Sequence, residues 1–171
     1  MVHDRPCASD EEYEYHCIDQ HMLQYDPNEF PYDAFSMEFV YQHGISIPPD
    51  AKDTVHITPI IIFNSALSHQ LFARQHQGEK FLSLLKRAKR LYQLAHDAHD
   101  TEESVLFQFA VINNTAVIHK TLGDRATSKQ CFDYLLSLLM MFVDRGCGMQ
   151  LRRMHGFLAN LETNTEAAPA A

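Results

Sequence analysis

The front of this 171-residue chain is almost without positive charge. Residues 1–50 hold one base, Arg5, against eleven acids, whereas residues 51–171 hold thirteen bases and eleven acids. With a formal net charge of −8, the general basicity of a nucleic-acid module is missing. No apolar run approaches the ~20 residues of a membrane span, so neither nucleic acid nor membrane is an expected partner. Six glycines leave little for a phosphate-cradling loop, and the GxSxG, P-loop, dinucleotide-turn and HExxH patterns do not occur. Paired acids occur only as the adjacent Glu11-Glu12 and Glu102-Glu103, which cannot share a helix face. Catalysis and a cofactor are therefore not expected.

Cys7, Cys17, Cys131 and Cys147 form no CxxC pair, which removes zinc ribbons and thioredoxin-like chemistry. Eleven histidines invite a metal, but neither His96 with His99 nor His16-Cys17 with His21 has the spacing of a closed zinc site. The start, Met1 to Pro6, lacks both an apolar core and a basic cluster. Cytoplasm or nucleus is the expected location, with reduced thiols.

What is present is an ordinary globular composition, 46% hydrophobic and 21% charged. A chain of this length makes about one domain and buries a core unaided. Residues 1–35 read as an acidic, loosely ordered segment carrying Tyr13, Tyr15, Tyr25, Phe30 and Tyr32. Its charge and its aromatics predict that it folds back on the more basic body. Residues 36–57 alternate around Gly44 and read as an extended strip or short hairpin.

From 58 to 162 the pattern is helical. Thr58-Pro59 is a start signal, and helices are expected near 59–74, 79–99, 101–122, 125–144 and 149–162. Helix two carries Phe81, Leu84, Leu85, Ala88, Leu91, Tyr92 and Ala95 on one stripe, with Lys86, Arg87, Lys89 and Arg90 on a solvated outer face. Asp124 is the expected cap of helix four. Residues 163–171 have nothing to bury and should fray.

The chain repeats itself. Shifted by 50 residues, Ile62, Asn64, Ala66 and His69 fall on Ile112, Asn114, Ala116 and His119. In the second helices Ala88 and Tyr92 answer Ser128 and Phe132, at an offset of 40. The difference implies about ten extra residues around Gly78, a longer first turn. Small residues let paired helices approach closely, and the aromatic four residues on fills the space between hairpins. From Ala116 to Ser128, with Gly123 between, the spacing resembles the helix-turn-helix of tetratricopeptide (TPR) repeats. The run Val111 to Asp124 is also similar to TPR-like proteins of unicellular algae. The resemblance is a divergent one: Ile62 and Ile112 replace the usual early aromatic, and the period exceeds the usual 34 residues or so.

The resemblance implies an all-α fold of two TPR-like antiparallel hairpins and a C-terminal capping helix, behind a short extended or β-like segment. It implies a non-catalytic scaffold that binds a protein or peptide in a groove lined by the first helices. By spacing, that groove holds Phe63, Asn64, Leu67, Gln70 and Leu71 from helix one, and Asn113, Asn114, Val117, Lys120 and Thr121 from helix three. Asn64 and Asn114 stand where some members hold a peptide's terminal carboxylate. Only Lys120 could assist, so hydrogen bonds from these asparagines to backbone or to each other are the competing expectation. Helix four is apolar nearly all round, and Leu138, Leu139, Met141 and Phe142 are the expected surface for a homo-oligomer or larger assembly.

Overall fold

The computed structural model describes residues 38–47, 54–98, 105–144 and 154–165. Within them lie five helices: α1 (Thr54–Ala73), α2 (Gly78–Asp97), α3 (Val105–Thr121), α4 (Arg125–Asp144) and α5 (His155–Thr165). No strand occurs among the described residues, so the fold is all-α. The acidic segment 1–35, with its fold-back onto the helices, lies outside them, as do Thr101 and residues 166–171.

The helices pair as hairpins, α1 on α2 and α3 on α4, with α2 against α3 and α4 against α5. Each crossing is built on the small residues the repeat singles out. Ala66, Ala88 and Ala116 have no exposed surface, and Ser128 is buried with them. Where side chains are this short, helix axes approach to the near end of the usual 8–10 Å range. Tyr92 then fills the space beside them, its ring centroid 5.5 Å from that of Phe63. On α2 the buried Leu85, Ala88, Tyr92 and Ala95 recur every three or four residues, while Lys86, Arg87 and Arg90 face water. α3 has no such polar side: packed against α2, α4 and the strip, it buries eleven residues, three of them polar (Asn113, Asn114, His119).

The turns correct one expectation. The first connection, Arg74–Gln77, is only one residue longer than the second, Leu122–Asp124. The extra residues instead lengthen the helices. α2 begins ten residues before Ala88, whereas α4 begins three before Ser128. α1 also begins at Thr54, five residues ahead of Pro59, which sits inside the helix and is buried. A proline so near the start forfeits only the bond its N–H would make to Val55, and the preceding turn survives. At the other end α5 extends to Thr165 rather than fraying from 163.

The second turn shows why its glycine is needed. Gly123 has φ +85°, a left-handed conformation that costs other residues a clash at Cβ. It lets the N–H of Gly123 reach the Lys120 carbonyl and that of Asp124 reach the His119 carbonyl, satisfying two helix-end acceptors. Asp124 then caps α4, its Oδ1 accepting from the N–H of Thr127 at 3.1 Å.

Candidate functional site

The first helices of the hairpins, α1 and α3, together with α5, each turn an asparagine towards residues 38–47: Asn64, Asn114 and Asn160. Residues 38–47 cross all three. The Asn64 side chain accepts from the N–H of Ile45 at 2.8 Å and donates to the Ile45 carbonyl at 2.9 Å. Asn114 does the same to Tyr41, at 2.9 Å and 2.9 Å. Asn160 does it to Phe39, at 2.8 Å and 2.7 Å. In each case one primary amide takes both backbone groups of one residue, as a residue on a neighbouring antiparallel strand would. Phe39 and Tyr41 turn their N–H and C=O to the same side two residues apart, which is the periodicity of an extended chain. Of the expected 36–57 strip or hairpin, residues 38–47 lie across the helices and are held by their side chains, 36–37 and 48–53 lie outside the described residues, and 54–57 belong instead to the first turn of α1. The strip runs from α5 across α3 to α1, the reverse of the helix order in the chain.

Behind the asparagines lies a buried polar chain. Tyr92 donates its hydroxyl proton to Gln70 Oε1 at 2.8 Å and accepts from Asn114 Nδ2 at 3.0 Å. Asn113 Nδ2 donates to Asn114 Oδ1 and to the Phe39 carbonyl, and its Oδ1 accepts from Asn160 Nδ2 at 2.7 Å. Asn113, Asn114 and Asn160 are at most 1% exposed. In so dry a place each amide is fixed by partners on both of its ends, and the network holds together or fails as a unit. Burial pushes the Tyr92 phenol far above its ordinary range, so it stays a neutral donor.

The strip's side chains are sorted as well. Val40 and Tyr41 are buried, and the Tyr41 ring lies 6.3 Å from Phe63 and 6.1 Å from Phe157, stacked on the latter. Phe39 packs edge-on against Phe157 at 5.3 Å. A Cβ at Gly156 would come within 2.5 Å of the Phe39 ring, so the glycine makes the slot that the ring occupies. Glu38, also buried, is paired with the Lys120 ammonium, which in turn donates to Asn164 Oδ1 at 3.2 Å. Beyond Gln42 the strip is lightly held, with His43, Gly44, Ser46 and Ile47 exposed.

Of the expected groove residues, Phe63, Asn64, Asn113, Asn114 and Lys120 meet the strip. Asn64 and Asn114 bond backbone amides, and Lys120 engages a side-chain carboxylate rather than a chain terminus. Leu67 and Val117 are buried in the core, and Leu71 is half-buried against it. Gln70 is turned towards α2, and Thr121 bonds its own helix at the Val117 carbonyl. Asn160, Gly156, Glu38 and Asn164 were not foreseen.

The expected α4 surface is corrected in part. Leu139 belongs to the core, while Leu138 and Phe142 are half-buried against it, Phe142 lying 6.0 Å from Phe109. Met141 is exposed, in the company of Leu136, Met140 and Val143. His69 bonds the Ser65 carbonyl at 2.8 Å, but His119 bonds the Asp124 carboxylate at 3.0 Å. Across α3 from the asparagines, a cleft of about 480 Å³ is lined by Val111, Ile112, Cys131 and Tyr134 among others. Burial raises the pKa of the Cys131 thiol, which leaves it a poor nucleophile. Among the described residues no three His, Cys, Asp or Glu side chains gather as a metal site, and no helix is long and apolar enough to cross a membrane.

The fold and site together define a stack of α-helical hairpins with an asparagine line that grips extended backbone. No protein-family model matches the chain, and neither the curated proteins nor the solved structures compared with it include a match.

Proposed function

We propose that the protein is a non-catalytic, TPR-like interaction module whose groove holds an extended polypeptide segment. The observation that carries this reading is the asparagine line: three amides from three helices, each taking the N–H and C=O of one residue of an extended chain. Such a device pairs with polypeptide backbone, which every protein partner offers. The repeated asparagines, the small residues at the crossings and the Gly123 turn favour the TPR-like relationship within this reading.

A photo-cross-linking amino acid at Leu71, two turns beyond Asn64 on the same side of α1, and another at Lys86, on the basic outer face, test it in cells. Cross-linked peptides from a partner at position 71 and none at 86 are expected. The opposite distribution would favour the basic face as the working surface.

A second reading, a structural subunit held through α4, rests on Leu136, Met140 and Val143, which recur along one exposed line of that helix. Sedimentation of the chain and of Met140→Glu/Val143→Glu tests it. A self-association that the double variant abolishes would support it, and a monomer in both would remove the homo-oligomeric form.

A further inference from the structure

We propose that residues 38–47 are a replaceable occupant of the groove, and that the partner taken in their place is an extended acidic–aromatic segment of the pattern Glu-Phe-x-Tyr. The proposal rests on the groove reading above and names what the groove selects.

The strip shows what each position demands. The asparagines ask only for an extended backbone with free amides at three residues. Selection therefore falls to the strip's side chains, and three requirements are visible. Lys120, held by Asn164, needs an anion where Glu38 lies. The slot over Gly156 needs a flat ring where Phe39 lies, since any added Cβ on the helix would strike it. The space between Phe63 and Phe157 needs a second ring two residues on, where Tyr41 lies. From residue 43 onward the strip is mostly exposed, with Ile45 held by its amide pair and packed against the core.

The way the strip is held favours exchange. The seven backbone hydrogen bonds described above go to helix side chains rather than to a β-ladder, so no sheet must be taken apart when it leaves. Water can satisfy the vacated amides, but Val40 and Tyr41 also leave the apolar core, so exchange requires an incoming segment that returns equivalent apolar side chains. Its attachment is also graded: Glu38, Val40 and Tyr41 are buried, while His43, Gly44, Ser46 and Ile47 are exposed around the half-buried Ile45, which Asn64 holds. A competitor can enter at the weak half before the strong half lets go. Tethering makes the strip a competitor at about millimolar effective concentration, which sets a threshold that a partner must exceed.

The test uses the folded full chain with a protease site placed in 48–53, between the strip and α1. After cleavage, a fluorescein-labelled peptide of residues 36–48 is titrated by anisotropy, with helix content followed by circular dichroism. The cleaved protein should bind it, and the uncleaved chain should bind roughly 100-fold more weakly, the order set by the tether. Peptides carrying Glu38→Lys or Tyr41→Ala should lose about tenfold or more, as single buried contacts at interfaces commonly do. In uncleaved protein, Tyr41→Ala in the strip should increase uptake of the wild-type peptide, a readout that needs no cleavage.

Equal binding of all three peptides would overturn the acidic–aromatic selection and leave the groove reading standing. A cleaved, helical protein that takes up no peptide, or one that unfolds as the fragment leaves, would overturn exchange. Position-71 cross-links to a partner would then still support a groove opened by other means, and their absence would remove both readings.

Discussion

The two hairpins share a plan, yet the same residue does different work in each. Asn64 on α1 bonds Ile45 at the lightly held end of the strip and is half-buried. Asn114, its equivalent on α3, is fully buried and tied to Tyr41, Asn113 and Tyr92 at once. The difference comes from position in the stack. α3 has a helix on each side and the strip across its front, while α1 keeps an exposed edge, with Ile61 and Phe72 about half open to solvent. A repeated motif therefore fixes the chemistry of a contact, and its depth in the stack fixes the energy.

The largest expected effect sharpens that contrast. Asn114→Ala should lower stability by about 3 kcal/mol, because it orphans the Tyr41 amide groups and one Tyr92 bond in a dry site. Asn64→Ala should cost about 1 kcal/mol, with water able to reach the vacated groups. Urea unfolding of the two variants measures both, and equal losses would break the comparison.

Next come the crossings. Ala116→Leu should cost about 2 kcal/mol by overpacking a helix confined on both sides. Ala66→Leu should cost about 1 kcal/mol, since α1 can shift towards its open edge. Thermal melts in the reverse order would show that α1 is the more confined helix.

A smaller effect concerns Ala88 and Ser128, which occupy equivalent places. The Ser128 hydroxyl is buried without a hydrogen-bond partner. Ser128→Ala should therefore raise stability by up to about 1 kcal/mol, and Ala88→Ser should lower it by a similar amount. A destabilised Ser128→Ala would reveal a partner for that hydroxyl.

The smallest effect lies at the helix starts. α2 has Gln77 before it with no side-chain cap bond, whereas α4 has Asp124. Hydrogen bonds from Thr127, and to a lesser degree from His119, lower the Asp124 pKa from 3.8. A carboxylate with a depressed folded pKa adds stability above its unfolded pKa, and that contribution fades as pH falls through the lower, folded value. Asp124→Asn keeps a capping oxygen but not the titration, so its melting temperature should fall less steeply across the carboxylate range, roughly pH 5 to pH 3. Parallel curves would show that the cap does not titrate in that window.

Much of this architecture was legible because packing writes itself into residue size. Ala66, Ala88 and Ala116 announce close crossings, Gly123 announces a left-handed turn, and α4 occupies the expected 125–144. Asn64 and Asn114 stood out because they repeat at 50 residues. Asn160 did not, for a physical reason. Its neighbours Leu161 and Glu162 lack the small residue that a following helix would require, so α5 carries the gripping amide without the packing signature that marks it. The start of α1 was misplaced because Pro59 fits a first turn as well as a second. The partnership between Glu38 and Lys120 joins residues far apart in the chain, and no local pattern records such a pair.

The asparagine line also governs how the strip's sequence can drift. Because each amide claims an N–H, proline is shut out at 39, 41 and 45, whatever its fit as a side chain. At 46, exposed and outside the three amide pairs, most substitutions should pass unnoticed. Over evolutionary time the strip should thus keep a spelling in which three letters are barred from proline, two must be rings and one must be acidic, while its outer letters wander.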